Sequence, residues 1–427
     1  MMRNNSRFCL SRFIIGNTSN LPKKIFFWNM MGSMINSLAS FLLSMIVTRV
    51  TGEVVAGVFV YAFALAQQMQ SIGSYEVRPY QSTDINEKYP FSVYLSARIV
   101  TCALMMIIST VFILIKRDSL YNSIVIFLMC LYRMVDSAED VYQGMFQQKG
   151  RLDIAGKAWF FRVFTSTVAF IVTLYLTQDL IITTLVAIIV AFLGLFLLNI
   201  NVAKKFVSLK PDFHLKPLCS LLLSCLPLFL GVFLLLYIYN APKYVIDQTL
   251  APEYLTYYNA LFMPTFVINL FSGFVLKPML NSLADSWYHG KFSQLKSTII
   301  KMSAGIMGFT LFLVVCAYFL GIPVLSWFYS VDLSPYRSEL LILLIGGGFS
   351  AISVVFYYAA TVMREQKSIL AVYAITALIA VISTPYMIKT MGLWGASLIY
   401  LLLMVFMTLL FAVIDIYYIR KAQKGVG

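Results

Sequence analysis

The sequence predicts an all-α membrane protein with about twelve transmembrane helices. Of its 427 residues, 60% are hydrophobic and only 12% are charged. A soluble domain carries about 25% charged residues, so no soluble fold of this length could bury so much apolar surface. Charge-free apolar runs recur along the whole chain, and each is near the ~20 residues that a bilayer requires.

The first apolar run follows a basic tail, residues 1–24, and is predicted to be an uncleaved span. It is longer than the apolar region of a signal peptide, which has about 7–15 residues, and no small-residue cleavage site follows it. The predicted spans are 25–50, 54–75, 94–115, 120–143, 158–178, 180–202, 218–240, 255–276, 298–320, 339–362, 368–388 and 393–417.

The basic segment 204–217 divides these spans into two sets of six. We therefore expect an N-terminal bundle at 25–203, a C-terminal bundle at 218–418 and a C-terminal tail at 419–427. Arg49 and Lys243 end the first spans of the two halves, so they occupy corresponding positions. Repeated halves of this kind are common in transporters, whose binding sites lie where the halves meet.

Positive charge is distributed unevenly between the two predicted faces of the membrane. If the N-terminal tail is inside, most of the 32 lysines and arginines fall on the inner side, and Arg162 at the start of the fifth span counts among them. This bias is what the positive-inside rule expects, and it predicts that both termini are cytoplasmic. It also explains the net charge of +14 without any nucleic-acid partner.

Several kinds of chemistry are not expected from this sequence. The six cysteines form no C-x-x-C pair, and the two histidines lie far apart in sequence, so we expect neither a disulfide framework nor a metal site. No phosphate-binding loop of the ATPase type occurs. We expect no cofactor and no catalytic residues, and therefore a protein that is not an enzyme.

The fourth predicted span carries a stripe of polar residues, and this stripe is the first candidate for a functional site. Its members recur at helical spacing on one face, and they are Arg133, Asp136, Asp140, Gln143 and Gln147. An intramembrane charge is costly and is by default a functional hypothesis. Two interpretations remain open: a pair of Arg133 with Asp136 inside the protein, or a helix that surfaces early and exposes the stripe, with Glu139 and Asp140, to the cytosol.

Four segments of the chain resemble the multidrug/oligosaccharidyl-lipid/polysaccharide (MOP) flippase superfamily, and most of all its bacterial O-antigen and capsule repeat-unit flippases. The segments are VTRVTG at 47–52, GSYEVRPYQSTD at 73–84, EDVYQG at 139–144 with the residues up to Arg162, and PLF at 227–229 with NAPKYVID at 240–247 and KP at 277–278. The last four spans match this superfamily only in their pattern.

The resemblance implies two six-helix bundles around a central cavity that opens alternately to the two sides of the bacterial cytoplasmic membrane. The implied cargo is an oligosaccharide on a polyprenyl pyrophosphate, moved from the inner to the outer leaflet for O-antigen, capsule or exopolysaccharide synthesis. The implied partners are this lipid-linked substrate, membrane lipids, a polysaccharide polymerase and glycosyltransferases. We expect the protein to be a monomer.

The chemistry of this cargo selects three sets of candidate residues. Arginine binds phosphate oxygens through paired N–H bonds and lysine acts as a point charge, so the cationic candidates for the pyrophosphate are Arg49, Arg78, Arg98, Arg133, Lys243 and Lys277. The candidate charge partners, or sites for a coupling proton or sodium ion, are Glu76, Asp136, Asp140 and Asp247. The candidate sugar contacts are Gln67, Gln70, Tyr61, Tyr237, Tyr257 and Asn259.

Two other functions remain open at this point. A drug or cation exporter of the same superfamily would have a more acidic cavity than this basic chain suggests. A membrane polysaccharide polymerase would carry a large outer loop, which the spacing of the predicted spans does not provide.

The charge bias yields a test of topology. Reporter domains fused after Arg420 or inserted within 204–217 should report a cytoplasmic location, because the basic segments flanking the spans are retained inside. A reporter signal from the opposite side of the membrane at either position would contradict the predicted orientation.

Overall fold

The computed structural model describes residues 5–84 and 87–425, and within these ranges the chain consists of helices and connecting turns. Two compact units divide after Phe233. In the first unit the helices are α1 (Asn5–Ile15), α2 (Leu21–Ser74), α3 (Val77–Thr83), α4 (Phe91–Lys116), α5 (Leu120–Gln148), α6 (Leu152–Thr177), α7 (Leu180–Gly194) and α8 (Asn201–Ala203). A π-helical segment, Leu195–Ile200, joins α7 to α8.

The helix that follows, α9 (Leu215–Thr249), begins in the first unit and ends in the second. The remaining helices are α10 (Pro252–Phe262), α11 (Thr265–Tyr288), α12 (Phe292–Cys316), α13 (Ile322–Tyr329), α14 (Arg337–Val362) and α15 (Gln366–Gly425). A second π-helical segment, Ala317–Gly321, joins α12 to α13, and a short 3₁₀ turn, Ser334–Tyr336, precedes α14.

Within the described ranges, these helices supply the twelve predicted spans. Eight helical stretches are long and apolar enough to cross a membrane. Two of them contain a break in helical geometry, α2 at Gly52 and α15 at Gly392, so each holds two spans. The more polar α5, with 29 residues, and α11, with 24 residues, complete the set. The predicted all-α fold class is therefore confirmed.

Most helix limits lie within a few residues of the predicted spans, and the exceptions have local causes. The eighth predicted span, 255–276, is divided between α10 and α11 by a turn at Met263 and Pro264. Proline lacks the N–H that would continue the helical ladder, so the break occurs there. The basic segment 204–217 is non-helical only over 204–214.

The first unit extends beyond the bundle limit that we expected from the basic segment. The N-terminal half of α9 packs with it: the Tyr75 ring stacks on the Phe229 ring at 4.4 Å between centroids. In addition, Gln68 Nε2 donates to the Phe233 carbonyl at 2.9 Å. The first compact unit accordingly includes this part of α9 and ends at Phe233.

The break in α2 predicts a strong requirement for glycine. Gly52 has φ 82° and ψ 175°, a backbone region that residues with a Cβ rarely adopt. Gly52→Ala should lower the stability of the purified protein by about 1–3 kcal/mol, seen as a lower melting temperature in detergent. Gly305→Ala in α12 is the control, because its Cβ would meet nothing within 4 Å. Equal melting temperatures for the two variants would contradict this account.

Candidate functional site

Charged side chains of α5 meet an arginine of α6 in the interior of the first unit. Arg162 Nε donates to Glu139 Oε2, and Arg162 Nη2 donates to Asp136 Oδ1, each at 2.6 Å. Arg133 Nη1 donates to Asp136 Oδ2 at 2.8 Å, and Asn199 Nδ2 donates to Glu139 Oε1 at 3.0 Å. We call these five residues the Arg162 network. Its two positive and two negative charges neutralise each other inside the protein.

The burial of this network decides between the two interpretations of the polar stripe. Glu139, Arg162 and Asn199 are 0% exposed, and Arg133 is 8% exposed. The expected pairing of Arg133 with Asp136 is present, and the alternative of a solvated Glu139 is wrong. Arg162, which we counted among the charges of the inner side, has its guanidinium between two carboxylates of α5.

Local features of α7 make room for the Arg162 side chain. A Cβ at Gly194 would lie 2.8 Å from Arg162 Cγ, so only glycine allows this close approach. The π-helical segment Leu195–Ile200 follows at once and contains Asn199. A π segment inserts an extra residue into a helical turn and so changes the direction of the side chains that follow. Here one of them, Asn199, contacts Glu139.

A second polar group lies around Asp140, where α5 meets the ends of α2, α3 and α4. Arg98 Nη2 donates to Asp140 Oδ2 at 2.7 Å, and Arg98 Nη1 donates to the Gly73 carbonyl at the end of α2. Arg78 Nη1 lies 3.5 Å from Asp140 Oδ1 and also donates to the Gln143 amide oxygen. The residues that we call the Arg98 cluster are Glu76, Arg78, Arg98, Asp140, Gln143 and Gln147.

Backbone geometry at the end of α2 brings Glu76 and Arg78 to this cluster. Tyr75 and Glu76 both have left-handed conformations, with φ 46° and φ 50°. Such values are uncommon for residues other than glycine and cost of order 1–3 kcal/mol each. The stacking of Tyr75 on Phe229 and the bond from its N–H to the Ser71 carbonyl at 2.8 Å help to hold the turn.

The loop after α3 is held by the carboxylate of Asp84. It accepts hydrogen bonds from the Lys88 and Tyr89 N–H groups at 2.9 and 3.1 Å and from the Tyr94 hydroxyl at 2.8 Å. Partial burial acts to raise the pKa of Asp84, but these hydrogen bonds outweigh it and hold the pKa below its ordinary value. Their stabilising effect is therefore present at neutral pH and is lost as the pH falls through the lowered pKa.

The second unit contains a buried lysine whose contacts are neutral. Lys243 is 8% exposed, and its Nζ donates to Asn259 Oδ1 at 3.0 Å. The same nitrogen lies 5.3 Å from the centroid of the Phe262 ring. Among the described residues, no carboxylate oxygen lies within 4.0 Å of it. Lys243 therefore differs from the buried arginines Arg98, Arg133 and Arg162 of the first unit, which face carboxylates.

The other predicted charged residues have different surroundings. Arg49, the counterpart of Lys243 in sequence, is exposed, and Asp247 is partly buried. The side chain of Lys277, another predicted cation, lies outside the described side chains. Arg49 and Lys243, which occupy corresponding positions in the sequences of the two halves, thus have different surroundings. The Arg49 guanidinium is exposed, and the Lys243 ammonium group is buried.

The candidate sugar contacts also differ in accessibility. Asn259 is 3% exposed and is held by Lys243, whereas Gln67 and Gln70 are partly exposed on α2. Tyr61 is 2% exposed and carries Lys116 Nζ at 3.6 Å from its ring centroid, so this ring is not open to a sugar in this conformation. The partly exposed Tyr237 and Tyr257 are packed against other tyrosine rings, those of Tyr244 and Tyr336.

Sequence reasoning missed Arg162 and Asn199 as members of a polar site. A signal was available for Arg162, because an arginine inside an apolar run opposite a helix that carries carboxylates is a candidate partner. Asn199 gave no such signal, because its contact depends on the π-helical geometry that the sequence does not display.

The contacts of the Arg162 network predict that replacing Arg162 lowers the stability of the protein more than replacing Arg133. Arg162→Leu should lower the stability of the detergent-purified protein by about 3–5 kcal/mol, because two buried carboxylates lose their shared cation. Arg133→Leu is the matched control and should cost less, since Asp136 keeps Arg162 as a partner. Thermal unfolding of both variants is the measurement, and equal losses would contradict the central role of Arg162.

Neither a protein-family model nor a curated protein sequence matches this chain. Solved structures, however, share its fold. An inward-facing multidrug resistance MATE family transporter of the MOP superfamily superimposes with a TM-score of 0.67 at 13% identity, over 91% of this chain and 96% of that one. A mutant of the Vibrio cholerae MATE transporter VcmN gives 0.60 at 11% identity, over 98% and 99%.

A third similar structure is a MOP superfamily transporter from Pyrococcus furiosus, described as having a binding pocket of reverse polarity that suggests a different function. It gives a TM-score of 0.56 at 12% identity, over 97% of this chain and 98% of that one. At such low identities the likeness is one of fold alone. The chain therefore has the twelve-helix, two-bundle fold of the MATE transporters of the MOP superfamily.

Proposed function

We propose that this protein is a flippase that moves polyprenyl-pyrophosphate-linked oligosaccharides from the inner to the outer leaflet of a bacterial cytoplasmic membrane by alternating access. The observation that carries the proposal is Lys243, a buried cation that is held by an amide and an aromatic ring. A charge in such a place is costly unless it meets an opposite charge. An anionic cargo would provide that charge.

The surroundings of Lys243 also suit the sugar part of the cargo. Asn259 presents an amide beside the ammonium group, and Tyr257 lies partly exposed two residues earlier on the same helix. Amides and aromatic rings are the groups that bind sugar hydroxyls and sugar faces. Arg49 holds the corresponding sequence position in the first unit and is exposed; its role with the pyrophosphate stays a prediction from the sequence.

A cation or drug exporter is the second candidate function, and a specific observation favours it. Asp415 on α15 is 1% exposed, and neither of its carboxylate oxygens has a hydrogen-bond partner among the described residues. A buried carboxylate of this kind could bind a cation. A multidrug resistance transporter is among the proteins that share this fold.

Pocket polarity separates the two candidates, because proteins of this fold differ in it. The Pyrococcus furiosus transporter is described as having a pocket of reverse polarity. In the present chain the buried lysine supports an anionic cargo, while the buried aspartate supports a cationic one. The proposal includes coupling of transport to a proton or a sodium ion.

The test is transport by the purified protein in liposomes that contain lipid-linked oligosaccharide. Lys243→Met should reduce flipping about 10- to 100-fold, since a charge-assisted hydrogen bond contributes roughly 1.5–3 kcal/mol. The variant should fold, because it removes a buried charge and keeps a long side chain. Lys389→Met, which alters an exposed lysine on α15, is the matched control and should flip the cargo normally.

Two results would overturn the proposal. One is unchanged flipping by Lys243→Met. The other is that the unaltered protein does not flip the oligosaccharide lipid but exports a lipophilic cation such as ethidium, and that Asp415→Asn abolishes this export. The second result would establish the exporter.

A further inference from the structure

The Arg98 cluster borders a cavity in the first unit that no assigned role explains. Its volume is about 440 Å³, within the range of about 300–1,000 Å³ that is typical of small-molecule sites. Six of its seven lining residues are polar or charged, and the seven are Ser74, Glu76, Arg78, Pro79, Ser82, Asp140 and Gln147. By the predicted topology it lies toward the cytoplasmic side of the membrane, where a cargo would be collected.

Ion pairs within the Arg98 cluster are distributed unevenly between its two carboxylates. Asp140 contacts both Arg98, at 2.7 Å, and Arg78, at 3.5 Å. Among the described residues, no lysine or arginine nitrogen lies within 4.0 Å of the Glu76 carboxylate. The cavity thus has a formal charge near zero while one of its acids has no direct ion pair.

Arg98 and Arg78 are held in place to different extents. Arg98 is 2% exposed and is fixed by Asp140 and by the Gly73 carbonyl, so it positions the cluster. The Arg78 side chain is 28% exposed, and its other contacts are the neutral amide oxygens of Gln143 and Gln147. An anion could replace these amide contacts without leaving a carboxylate unpaired, because Asp140 keeps Arg98.

We propose that this cavity binds a phosphoryl group through Arg78, and that protonation of Glu76 turns the binding on. The inference rests on the proposed function, since the pyrophosphate of the cargo would be the natural ligand. Arginine matches phosphate oxygens with paired N–H donors, and the Ser74 hydroxyl lies at the same cavity wall.

The role of Glu76 follows from the charges around it. The charged groups that act on its carboxylate are Asp140 on α5, Arg98 on α4 and Arg78 on α3. When Glu76 is ionised, its negative charge opposes an incoming anion across the cavity. When it is protonated, the cluster carries one net positive charge and the repulsion disappears. By linkage, a bound phosphoryl group also favours the protonated acid, so the proton and the anion bind together.

The test measures binding of inorganic pyrophosphate to the full-length protein in phosphatidylcholine nanodiscs at about pH 5 and about pH 7.5. Glu76→Gln imitates the protonated acid and should bind about 10-fold more tightly than the unaltered protein at the higher pH, and equally at the lower pH. The pH dependence that remains in Glu76→Gln reports the titration of pyrophosphate itself, so the ratio of the two proteins isolates Glu76.

Two further variants complete the test. Arg78→Gln should abolish binding at both pH values. Glu53→Gln should behave as the unaltered protein, because Glu53 follows the break at Gly52 and so begins the part of α2 that ends at Ser74. If Glu76→Gln and the unaltered protein bind equally at both pH values, or if Arg78→Gln still binds, the inference is wrong.

The source of the phosphoryl group is decided by a second lipid composition. Nanodiscs with phosphatidylglycerol should leave the pyrophosphate affinity of the unaltered protein unchanged if the cargo headgroup is the ligand. A lower pyrophosphate affinity of the unaltered protein in these nanodiscs would instead identify membrane phospholipid as a competing ligand of the same site. If the protein flips the oligosaccharide lipid but does not bind pyrophosphate, only this inference is refuted. If it binds pyrophosphate but does not flip the lipid, the proposed function is refuted.

Discussion

The burial of Arg162 between two carboxylates is the interaction on which the first unit depends. A guanidinium at 0% exposure is tolerable only because Asp136 and Glu139 each accept a hydrogen bond from it at 2.6 Å. This requirement fixes how α5, α6 and α7 approach one another, since Gly194 must lack a side chain where Arg162 passes.

The Arg98 cluster also pairs arginines with carboxylates, but its pairing is less complete than that of the Arg162 network. Its buried arginine ties the end of α2 to α5 by bonding both the Gly73 carbonyl and Asp140. Its second arginine is partly exposed and its second acid has no direct ion pair, so the cluster borders a cavity instead of closing on itself. A satisfied network stabilises a fold, whereas an unevenly paired one can respond to a ligand or a proton.

The second unit shows a third arrangement, in which buried charges stand apart from each other. Lys243 is held by an amide and a ring, and Asp415 has no hydrogen-bond partner among the described residues. In a membrane protein such isolated charges are expensive and are generally associated with function. Their opposite signs are the physical basis for the two candidate cargoes.

The sequence by itself determined the membrane class, the helical fold and most of the span limits, because hydropathy, the break near Gly52 and helical spacing are local properties. It did not predict the turn at Met263 and Pro264 within the eighth span. It also indicated the pair of Arg133 with Asp136, whose partners are three residues apart. Only the tertiary structure decided the partners of Arg162, Arg98 and Lys243, because each contact joins different helices and depends on their packing. The contact of Asn199 with Glu139 likewise depends on a π-helical segment that has no signature in local composition.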